Sequence, residues 1–361
     1  MRILSLSLDR SILDPASTAA KRQALAYAGH EAVILVVASG EQKEFDLAPG
    51  IRVRTFGGAS KFGAFMQARS HLRMAERPDV VTAQEPIYTG YLAARLAKRF
   101  GCGLHLQDHS GIFARGSANL RERVLRAYAE SLLLRADRVR TVSQRGKKGL
   151  MTIGVQEQKI DVIPIATDIA AFSQVDRSLA LADEILTVTR LESEKGVDIL
   201  LNAFVEVQKV RSQASLVVVG GGSLRQAYER MARHLRIGTA VLFVGKEDDV
   251  KPFLARAGVY VQPSRFEGWG LAVIEAAAAG MPIVMSDVGC AGEVIKDGES
   301  GLVVPPGNPK ALAASLLKVL SDASLAKRLG SAAKLAVANL PDAQATAALI
   351  RASLEAAAKT G

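Results

Sequence analysis

The chain has 361 residues, of which 49% are hydrophobic and 23% charged, and this length predicts two globular domains rather than one core. No apolar run approaches the roughly 18–20 residues that span a bilayer. The first strand is interrupted too early by Asp9 and Arg10 to be a signal peptide, so a cytoplasmic protein is expected. Cys102 and Cys290 lie far apart without metal-type spacing, which argues against a disulfide framework and a zinc site.

The net charge of +10 belongs almost wholly to one half of the chain. Residues 1–175 hold 25 Lys and Arg against 16 Asp and Glu, whereas residues 176–361 hold 21 against 20. An excess confined to one half indicates a surface for an anionic partner, and nucleic acid, anionic lipid and a phosphorylated acceptor all fit. Solubility alone is the remaining explanation.

In the first half, short runs rich in Val and Ile alternate with helical patterns, as in parallel α/β sheets. Strands are predicted at residues 3–8, 32–38, 80–83, 104–107, 139–143 and 161–165. The first helix is expected to have Asp14 as its N-cap, Pro15 at its first position and Gly29 after its end.

Between residues 115 and 148 the chain carries a basic segment with a helical apolar stripe. Three acidic residues there stand against ten cations: Arg115, Arg121, Arg123, Arg126, Arg135, Arg138, Arg140, Arg145, Lys147 and Lys148. The stripe consists of Leu120, Val124, Leu125, Tyr128, Leu132 and Leu133. A basic amphipathic helix can lie on an anionic membrane, or it can pack on the core with a solvated basic back.

The second half starts a new series of strands, predicted at residues 184–189, 215–219, 240–244, 259–263 and 282–286. Residues 170–183 lack periodicity and are expected to form a linker. The predicted domains are therefore residues 1–175 and 176–340, with a C-terminal helix at 341–361 that packs back toward the first domain. Two doubly wound domains leave a cleft between their strand ends, where ligands are expected.

Arg190 and Lys195 follow the first strand of the second half and precede a helix that begins near Val197. Ligands meet parallel sheets at the carboxyl ends of the strands. Two cations at that place can neutralise a diphosphate, arginine as a fork and lysine as a point charge. The alternative is a solvated loop with ordinary surface charges.

Three glycines, Gly220 to Gly222, follow the strand at 215–219. Because glycine lets a backbone approach a phosphate or a neighbouring chain closely, Gly222 is either a ligand contact or part of a tight turn. The segment is not a dinucleotide fingerprint, since Arg225 stands at the third glycine position, and it is not a P-loop, since no Lys follows.

The segment 262–276 is the most informative, because its pattern indicates a strand end, a glycine-containing loop and a helix that opens near Gly270. Free amides at that helix start suit a phosphate or a developing oxyanion. Glu267 lies in the loop, where it could reach a sugar. Glu275 lies about a turn into the helix, where it could accept hydrogen bonds from ribose hydroxyls.

This segment resembles the retaining GT-B glycosyltransferases of group 1, family 4, which include many bacterial sugar and phosphatidylinositol mannosyltransferases. The resemblance rests on the E-x7-E pair Glu267 and Glu275, on residues 279–303 and on Arg190 with Lys195. In the first half, residues 79–84 and the end of the strand that precedes His109 also resemble this family. The resemblance implies two Rossmann-like, doubly wound domains that face a central cleft.

The resemblance also implies which residues are catalytic and which bind the donor. Those that would carry the reaction are Glu267, His109, Arg190 and Lys195. Those that would hold the donor are Arg190, Lys195, Gly270, Leu271, Glu275 and Gly222. Arg190 and Lys195 would neutralise the leaving diphosphate in place of a metal ion. No metal and no cofactor is therefore expected beyond the nucleotide-sugar donor, a UDP-sugar being favoured over a GDP-sugar.

In the implied reaction, Glu275 binds the ribose, Glu267 contacts the donor sugar, and His109 reaches that sugar from the first domain. A glycosyl group passes to an acceptor hydroxyl with retention, in cell-envelope polysaccharide or glycolipid synthesis. The basic segment suits a lipid-linked acceptor at the inner face of the membrane. The loop at residues 9–17 departs from the family because it lacks the paired glycines.

Three other functions remain open at this point. An epimerase of the same fold would bind the same donor without an acceptor, although the Arg190 and Lys195 run with the Glu267 motif favours transfer. A non-catalytic nucleotide-sugar-binding subunit is the second. A nucleic-acid-binding module would explain the charge but none of the motifs of the second half, so no nucleic acid is expected as a partner.

Overall fold

The computed structural model describes residues 1–37, 40, 42–55, 77–109 and 120–360, with the backbone alone for Arg121 and Glu122. Arg115 of the basic segment lies outside the described residues. The chain divides into two compact units, Met1–Ala166 with Pro341–Gly361, and Thr167–Leu340. The division falls before Thr167, whereas the sequence places the boundary after residue 175. Residues 169–173, at the start of the expected linker, form a short helix of the second unit.

In the part of the first unit that the structure describes, the sheet has eight strands: β1 (Arg2–Ser7), β2 (Glu31–Val36), β3 (Glu44–Ala48), β4 (Ile51–Thr55), β5 (Val80–Ala83), β6 (Gly103–Asp108), β7 (Arg138–Thr141) and β8 (Ile160–Val162). Their order in the sheet is β3-β4-β2-β1-β5-β6-β7-β8, and only the pair β3 and β4 is antiparallel among these strands. Ile3 lies opposite Ala32 on one side and Val80 on the other. The sequence prediction missed β3 and β4, which form an edge hairpin.

The first four helices described in this unit are α1 (Thr18–Tyr27), α2 (Tyr88–Phe100), α3 (Leu120–Leu133) and α4 (Gln144–Thr152). The predicted start of α1 was wrong. Residues Arg10–Leu13 form a separate 3-10 turn, and α1 begins later because the Ser17 hydroxyl accepts a hydrogen bond from the Ala20 amide at 3.1 Å. Gly29 does follow the helix end, in the left-handed region at φ +82°.

The second unit has six strands, all parallel: β9 (Leu181–Val188), β10 (Ser215–Val219), β11 (Val241–Gly245), β12 (Ala257–Gln262), β13 (Ile283–Ser286) and β14 (Leu302–Val304). Their order is β11-β10-β9-β12-β13-β14. The helices of this unit are α5 (Ile169–Ser173), α6 (Val197–Val210), α7 (Arg225–His234), α8 (Lys251–Arg256), α9 (Leu271–Ala278), α10 (Pro309–Ser321) and α11 (Ala323–Ala338). Buried Val, Ile and Leu of the strands and helices form one core, as expected for a parallel sheet covered on both faces.

The last helix, α12 (Ala343–Ala358), belongs to the first unit. It packs on that sheet so closely that a Cβ on Gly103 would overlap the Ala357 carbonyl oxygen. His105 is fully buried and joins the helix to the sheet, because its Nδ1 lies 2.8 Å from Thr82 Oγ1 and its Nε2 lies 3.1 Å from Ser353 Oγ.

Candidate active site

Three loops of the second unit lie at one edge of its sheet. They follow the carboxyl ends of β9, β10 and β12, and β9 lies between the other two strands. Parallel strands place these ends side by side. The topology therefore brings together the segments of Lys195, Gly222 and Glu267, which the sequence identifies separately.

Lys195 and Glu267 form the centre of this edge. Lys195 Nζ lies 2.7 Å from Glu267 Oε1, and the two side chains are only 14% and 11% exposed. The same oxygen accepts hydrogen bonds from Gln262 Nε2 and from Ser264 Oγ, both at 3.0 Å. Within the described part of the chain, no hydrogen bond to Glu267 Oε2 accompanies these three. One oxygen of the carboxylate is thus fixed by three donors.

The loops of Lys195 and Glu267 are fastened to each other by neighbouring residues. Gly196 adopts φ +67°, and a Cβ there would overlap the Pro263 carbonyl oxygen. Arg265 forms a two-pronged ion pair with Asp198 at 2.8 and 2.5 Å, and its amide donates to the Glu194 carbonyl oxygen at 2.9 Å. The Arg265 hydrogen bonds hold the pKa of the Asp198 carboxyl below its usual value. The position of Lys195 is therefore set by backbone packing as well as by its ion pair.

Gln262 connects Glu267 to the core of the sheet. Its Oε1 accepts a hydrogen bond of 2.7 Å from the Tyr260 hydroxyl, which fixes the amide so that Nε2 points to Ser264 and Glu267. Burial raises the pKa of Tyr260 well above 10, and the nearby Glu275 and Glu267 carboxylates add to the effect. Sequence reasoning missed the roles of Tyr260, Gln262 and Ser264. The available signal was three polar side chains at alternate positions of a buried strand end.

Arg190 is placed differently from Lys195. Its side chain is 69% exposed and forms an ion pair of 3.1 Å with Glu194, four residues further along the chain. The structure therefore brings Lys195 and Glu267 into contact, and it leaves Arg190 at the exposed rim of the same loop.

Gly222 packs against the chain of the neighbouring loop, since a Cβ there would lie 2.5 Å from the Leu191 carbonyl oxygen. Ser223 then donates through its amide and hydroxyl to the Glu192 carboxylate at 2.8 and 2.7 Å, and these bonds lower the pKa of Glu192. Close packing of two loops is a sufficient reason for glycine at this position. The role of Gly222 as a ligand contact stays a prediction.

Helix α9 opens directly after the Glu267 loop. Gly270, its N-cap, has φ +98°, a conformation that favours glycine, and no side chain of the described residues caps the helix. The first amides of a helix have no partner within it, and the helix dipole is positive at this end. Leu271 is the first helical residue, and Glu275 is half-buried one turn further along. The amides of Gly270 and Leu271 are thus available to an anion.

In the first unit, His109 follows the carboxyl end of β6. Its Nε2 lies 2.8 Å from Gln107 Oε1, which also accepts a hydrogen bond of 3.0 Å from Arg140 Nη1. Gln107 Nε2 donates to Thr82 Oγ1 at 3.2 Å, so the amide orientation is determined. Burial lowers the pKa of His109 to about 3, and the Arg140 cation adds to that effect. His109 is neutral at physiological pH.

The basic segment exposes fewer unpaired cations than its sequence indicates. Arg140 is only 5% exposed, because it lies in β7 and a parallel sheet is covered on both faces. Arg138 pairs with Asp161, Arg126 with Glu130, and Lys147 with Glu157. The stripe is also divided. Of the apolar residues in the stripe, Leu132 and Leu133 are buried, whereas Leu120, Val124 and Tyr128 are exposed.

Within the ranges given above, no three His, Cys, Asp or Glu side chains lie together as ligands for a metal ion. In the same ranges, no helix is both long and apolar enough to cross a membrane.

Residues 180–336 match the family model described as glycosyl transferases group 1, and residues 18–171 match the model described as glycosyltransferase family 4. A glycogen synthase of Mycobacterium tuberculosis is 36% identical over 180 residues, 49% of this chain and 43% of that protein. A D-inositol 3-phosphate glycosyltransferase of Jonesia denitrificans is 36% identical over 200 residues, 49% of this chain and 47% of that protein. The match thus spans about half the length of these curated relatives.

Solved structures resemble nearly the whole chain. Sucrose-phosphate synthase from Thermosynechococcus elongatus has a TM-score of 0.80 at 23% identity, with 96% of this chain and 97% of that chain covered. HepE of Anabaena in complex with UDP-glucose has a TM-score of 0.79 at 19% identity, with 98% and 99% covered. A likeness at these identities is one of fold, and it confirms the predicted class of two Rossmann-like α/β domains.

Proposed function

This chain belongs to the group 1 glycosyltransferases of the GT-B fold, and we propose on that premise that it transfers a sugar from a nucleotide-diphosphate donor to an acceptor hydroxyl with retention. The observation that carries the proposal is the Lys195–Glu267 ion pair, held at the sheet edge by Gln262 and Ser264. Such a preorganised cation suits a leaving diphosphate, and the carboxylate beside it suits the donor sugar. A UDP-sugar is favoured, and the likeness in fold to HepE with UDP-glucose supports it.

In this proposal, Lys195 and Arg190 stabilise the charge that develops on the leaving diphosphate. Lys195 is fixed by its ion pair, whereas the exposed Arg190 closes on the phosphate from the rim. The amides of Gly270 and Leu271 add positive dipole character at the same edge. These groups take the place of a metal ion, and the leaving phosphate accepts the proton of the acceptor hydroxyl on the same face of the sugar.

Glu267 acts as an oriented hydrogen-bond acceptor. Three donors fix its Oε1, so Oε2 accepts from a hydroxyl of the donor sugar. Glu275 accepts from the ribose hydroxyls, one turn into α9. Both roles use the strength of hydrogen bonds to a carboxylate.

His109 contacts the donor sugar as a neutral ring. Because Gln107 Oε1 is an acceptor, His109 Nε2 carries the proton and donates it there, which leaves Nδ1 as an acceptor for a sugar hydroxyl. A histidine with a pKa of about 3 cannot supply a proton at neutral pH. His109 therefore positions the donor and is not the general acid.

The acceptor belongs to cell-envelope polysaccharide or glycolipid synthesis, at the inner face of the membrane. The exposed residues Leu120, Val124 and Tyr128 of α3, set among cations, support contact of this cytoplasmic enzyme with anionic lipid. A surface of this kind would bring the protein to a lipid-linked acceptor without an anchor.

A screen of thermal stability with UDP, GDP and their sugars tests the donor assignment, since a ligand selective for the native state raises the melting temperature. We expect UDP and a UDP-sugar to stabilise the protein. Incubation with donor alone should give slow hydrolysis at most, whereas conversion to a second sugar nucleotide would identify an epimerase. No stabilisation by any nucleotide would contradict the proposed function.

A further inference from the structure

Arg140 is a buried cation that the proposed reaction does not use. Its Nε and Nη2 donate to the Ile163 carbonyl oxygen at 3.3 and 3.2 Å, and Nη2 lies 3.3 Å from the Pro164 carbonyl oxygen. Its Nη1 donates to Gln107 Oε1 at 3.0 Å. A guanidinium has five N–H groups, so these four contacts leave one at Nη1. Among the described residues, no carboxylate forms an ion pair with Arg140.

Carbonyl oxygens satisfy the donors of Arg140 but do not neutralise its charge. A buried cation without a counter-ion is costly, since several kcal/mol of hydration energy are lost per ion. Burial lowers the pKa of Arg140 to about 10; the nearby Tyr27 opposes this effect, and the Arg22 cation adds to it. The hydrogen bonds of Arg140 with described residues are to carbonyl and amide oxygens and supply no negative charge.

Both cations line a cavity of about 140 Å³ within the first unit. A cavity of this volume holds several water molecules, so it has room for a phosphate group. Asp9 is the carboxylate among its lining residues, and its Oδ1 already accepts from the amide and hydroxyl of Ser11 at 2.9 and 2.6 Å. Gln23 also lines it, with an Oε1 that is buried without a partner among the described residues. An amide can turn its NH2 to an oxyanion instead.

The walls of the cavity come from α1, α12 and the ends of β6 and β7, and His109 lines it too. In the proposed function His109 contacts the donor sugar. A group bound between Arg22 and Arg140 therefore lies beside the residue that holds the reacting sugar, where an acceptor must be.

We propose that this cavity binds a terminal phosphate of the acceptor, so that the enzyme glycosylates a phosphate monoester, a group that a lipid-linked acceptor can also carry. Arg22 and the remaining N–H of Arg140 Nη1 hold the phosphate, and the Gln23 amide completes the site. The inference rests on the proposed function, because the ligand is named as the acceptor of that reaction.

Binding of a simple phosphate monoester tests the site without any turnover. The probe is glucose 6-phosphate, titrated at constant ionic strength against thermal stability, with glucose as the control ligand. Glycerophosphoinositol, a soluble diester, represents a lipid headgroup, and UDP reports on the donor site. The variants are Arg22→Gln and Arg140→Lys, and the matched control is Arg52→Gln, an exposed arginine of β4 in the same unit.

We expect glucose 6-phosphate to stabilise the wild type and Arg52→Gln, and glucose to have no effect. Arg22→Gln should bind glucose 6-phosphate about ten-fold more weakly or worse, since a charge-assisted hydrogen bond is lost, while UDP still stabilises it. If Arg140→Lys folds, it should show the same loss of glucose 6-phosphate binding. If it does not fold, the result for Arg22→Gln alone tests the phosphate site.

Three results would overturn the inference. The first is equal stabilisation of the wild type and Arg22→Gln by glucose 6-phosphate, or stabilisation of neither. The second is stronger binding of the diester than of the monoester. The third is an equal loss of UDP binding in Arg22→Gln, which would assign the cavity to the donor. Failure of UDP to bind the wild type would contradict the proposed function instead, and the two failures are thus distinguishable.

Discussion

Lys195 Nζ and Glu267 Oε1 are in contact at 2.7 Å, although 72 residues separate them in the chain. The pair is assembled by the sheet order, which sets β9 beside β12. Because both side chains are largely buried, removal of either leaves a charge without its partner. Variants at this pair therefore need separate measurements of folding, binding and turnover.

The first prediction concerns the diphosphate contacts. Lys195→Ala and Arg190→Ala should each lower kcat/KM by about 2–4 kcal/mol in transition-state stabilisation, as for a preorganised electrostatic contact. Lys195→Ala should have the larger effect, because it also releases Glu267. Steady-state kinetics measures this, with Lys209→Ala on the exposed side of α6 as the control. Near-wild-type turnover in both variants would contradict the assignment of Lys195 and Arg190 to the leaving diphosphate.

The second prediction separates the two glutamates. Glu275→Ala should mainly weaken UDP binding, because a carboxylate that accepts from ribose hydroxyls is lost. Glu267→Gln should reduce turnover and spare UDP binding, since its partner is the sugar. Calorimetry with UDP decides between them. The buried Trp269, the one tryptophan of the chain, lies beside the Glu267 loop and gives a second signal by fluorescence. Equal loss of UDP binding in the two variants would abolish the distinction.

Five of the six strands of the second unit were predictable because buried parallel strands are continuous runs of Val, Ile and Leu, whereas the three-residue strand β14 was missed. Strand β10, Ser215–Val219, has the predicted bounds. Strand β3 was missed because its burial alternates weakly, with Glu44 and Asp46 exposed at the sheet edge. The loops of Lys195 and Glu267 were identified by resemblance, but their contact depends on backbone packing such as Gly196 on Pro263, which no local pattern encodes.

Arg140 shows a second limit of sequence reasoning. It follows Arg135 and Arg138 in a run of cations, so composition places it on a basic surface. The structure places it in a strand with both faces covered, where it is 5% exposed. A run of cations predicts a basic surface only when the helix or strand that carries it is exposed to solvent.

The third prediction concerns metal ions. Activity should persist in EDTA, because Lys195 and Arg190 supply the positive charge that a divalent ion would supply to the leaving diphosphate. Turnover with and without chelator measures this, and added magnesium is the control. Complete loss of turnover in EDTA that magnesium restores would show that the lysine and arginine do not suffice.

The fourth prediction concerns pH and stability. Burial lowers the pKa of His105 and His109 to about 3, against about 6.5 in an unfolded chain. Between these values the unfolded state binds more protons, so stability is fully present above about pH 6.5 and is lost as pH falls toward 3. Each histidine contributes a slope of about 1.4 kcal/mol per pH unit.

Urea unfolding at several pH values between about 6.5 and 5 measures this slope. His105→Asn should reduce the slope by about 1.4 kcal/mol per pH unit toward the acid end of this range, because the fully buried His105 ring is removed. His234→Asn, at an exposed histidine of the second unit, is the matched control for the substitution. An unaltered slope in His105→Asn would mean that the buried rings do not set the acid sensitivity.

The fifth prediction concerns the exposed face of α3. Leu120 and Val124 are 74% and 60% exposed, and Tyr128 lies one turn further along the same face. Burial of exposed apolar side chains in a lipid interface is favourable, and each nearby cation adds about 1 kcal/mol on anionic lipid. The wild type should therefore sediment with phosphatidylglycerol liposomes at low salt and not with phosphatidylcholine. Salt should weaken the attachment, because the screening length is about 8 Å at physiological ionic strength.

Two variants separate the apolar from the charged contribution on this face. Val124→Ser should weaken binding at every salt concentration, whereas Arg121→Glu with Arg123→Glu should abolish the preference for anionic lipid. Leu335→Ser is the matched control, because Leu335 is 72% exposed in α11 of the second unit. Donor turnover should be unchanged in all three, since none of these residues lies in the Lys195 or Glu267 loops. Equal pelleting with both lipids, or none at low salt, would leave a soluble anionic acceptor as the better explanation of the charge.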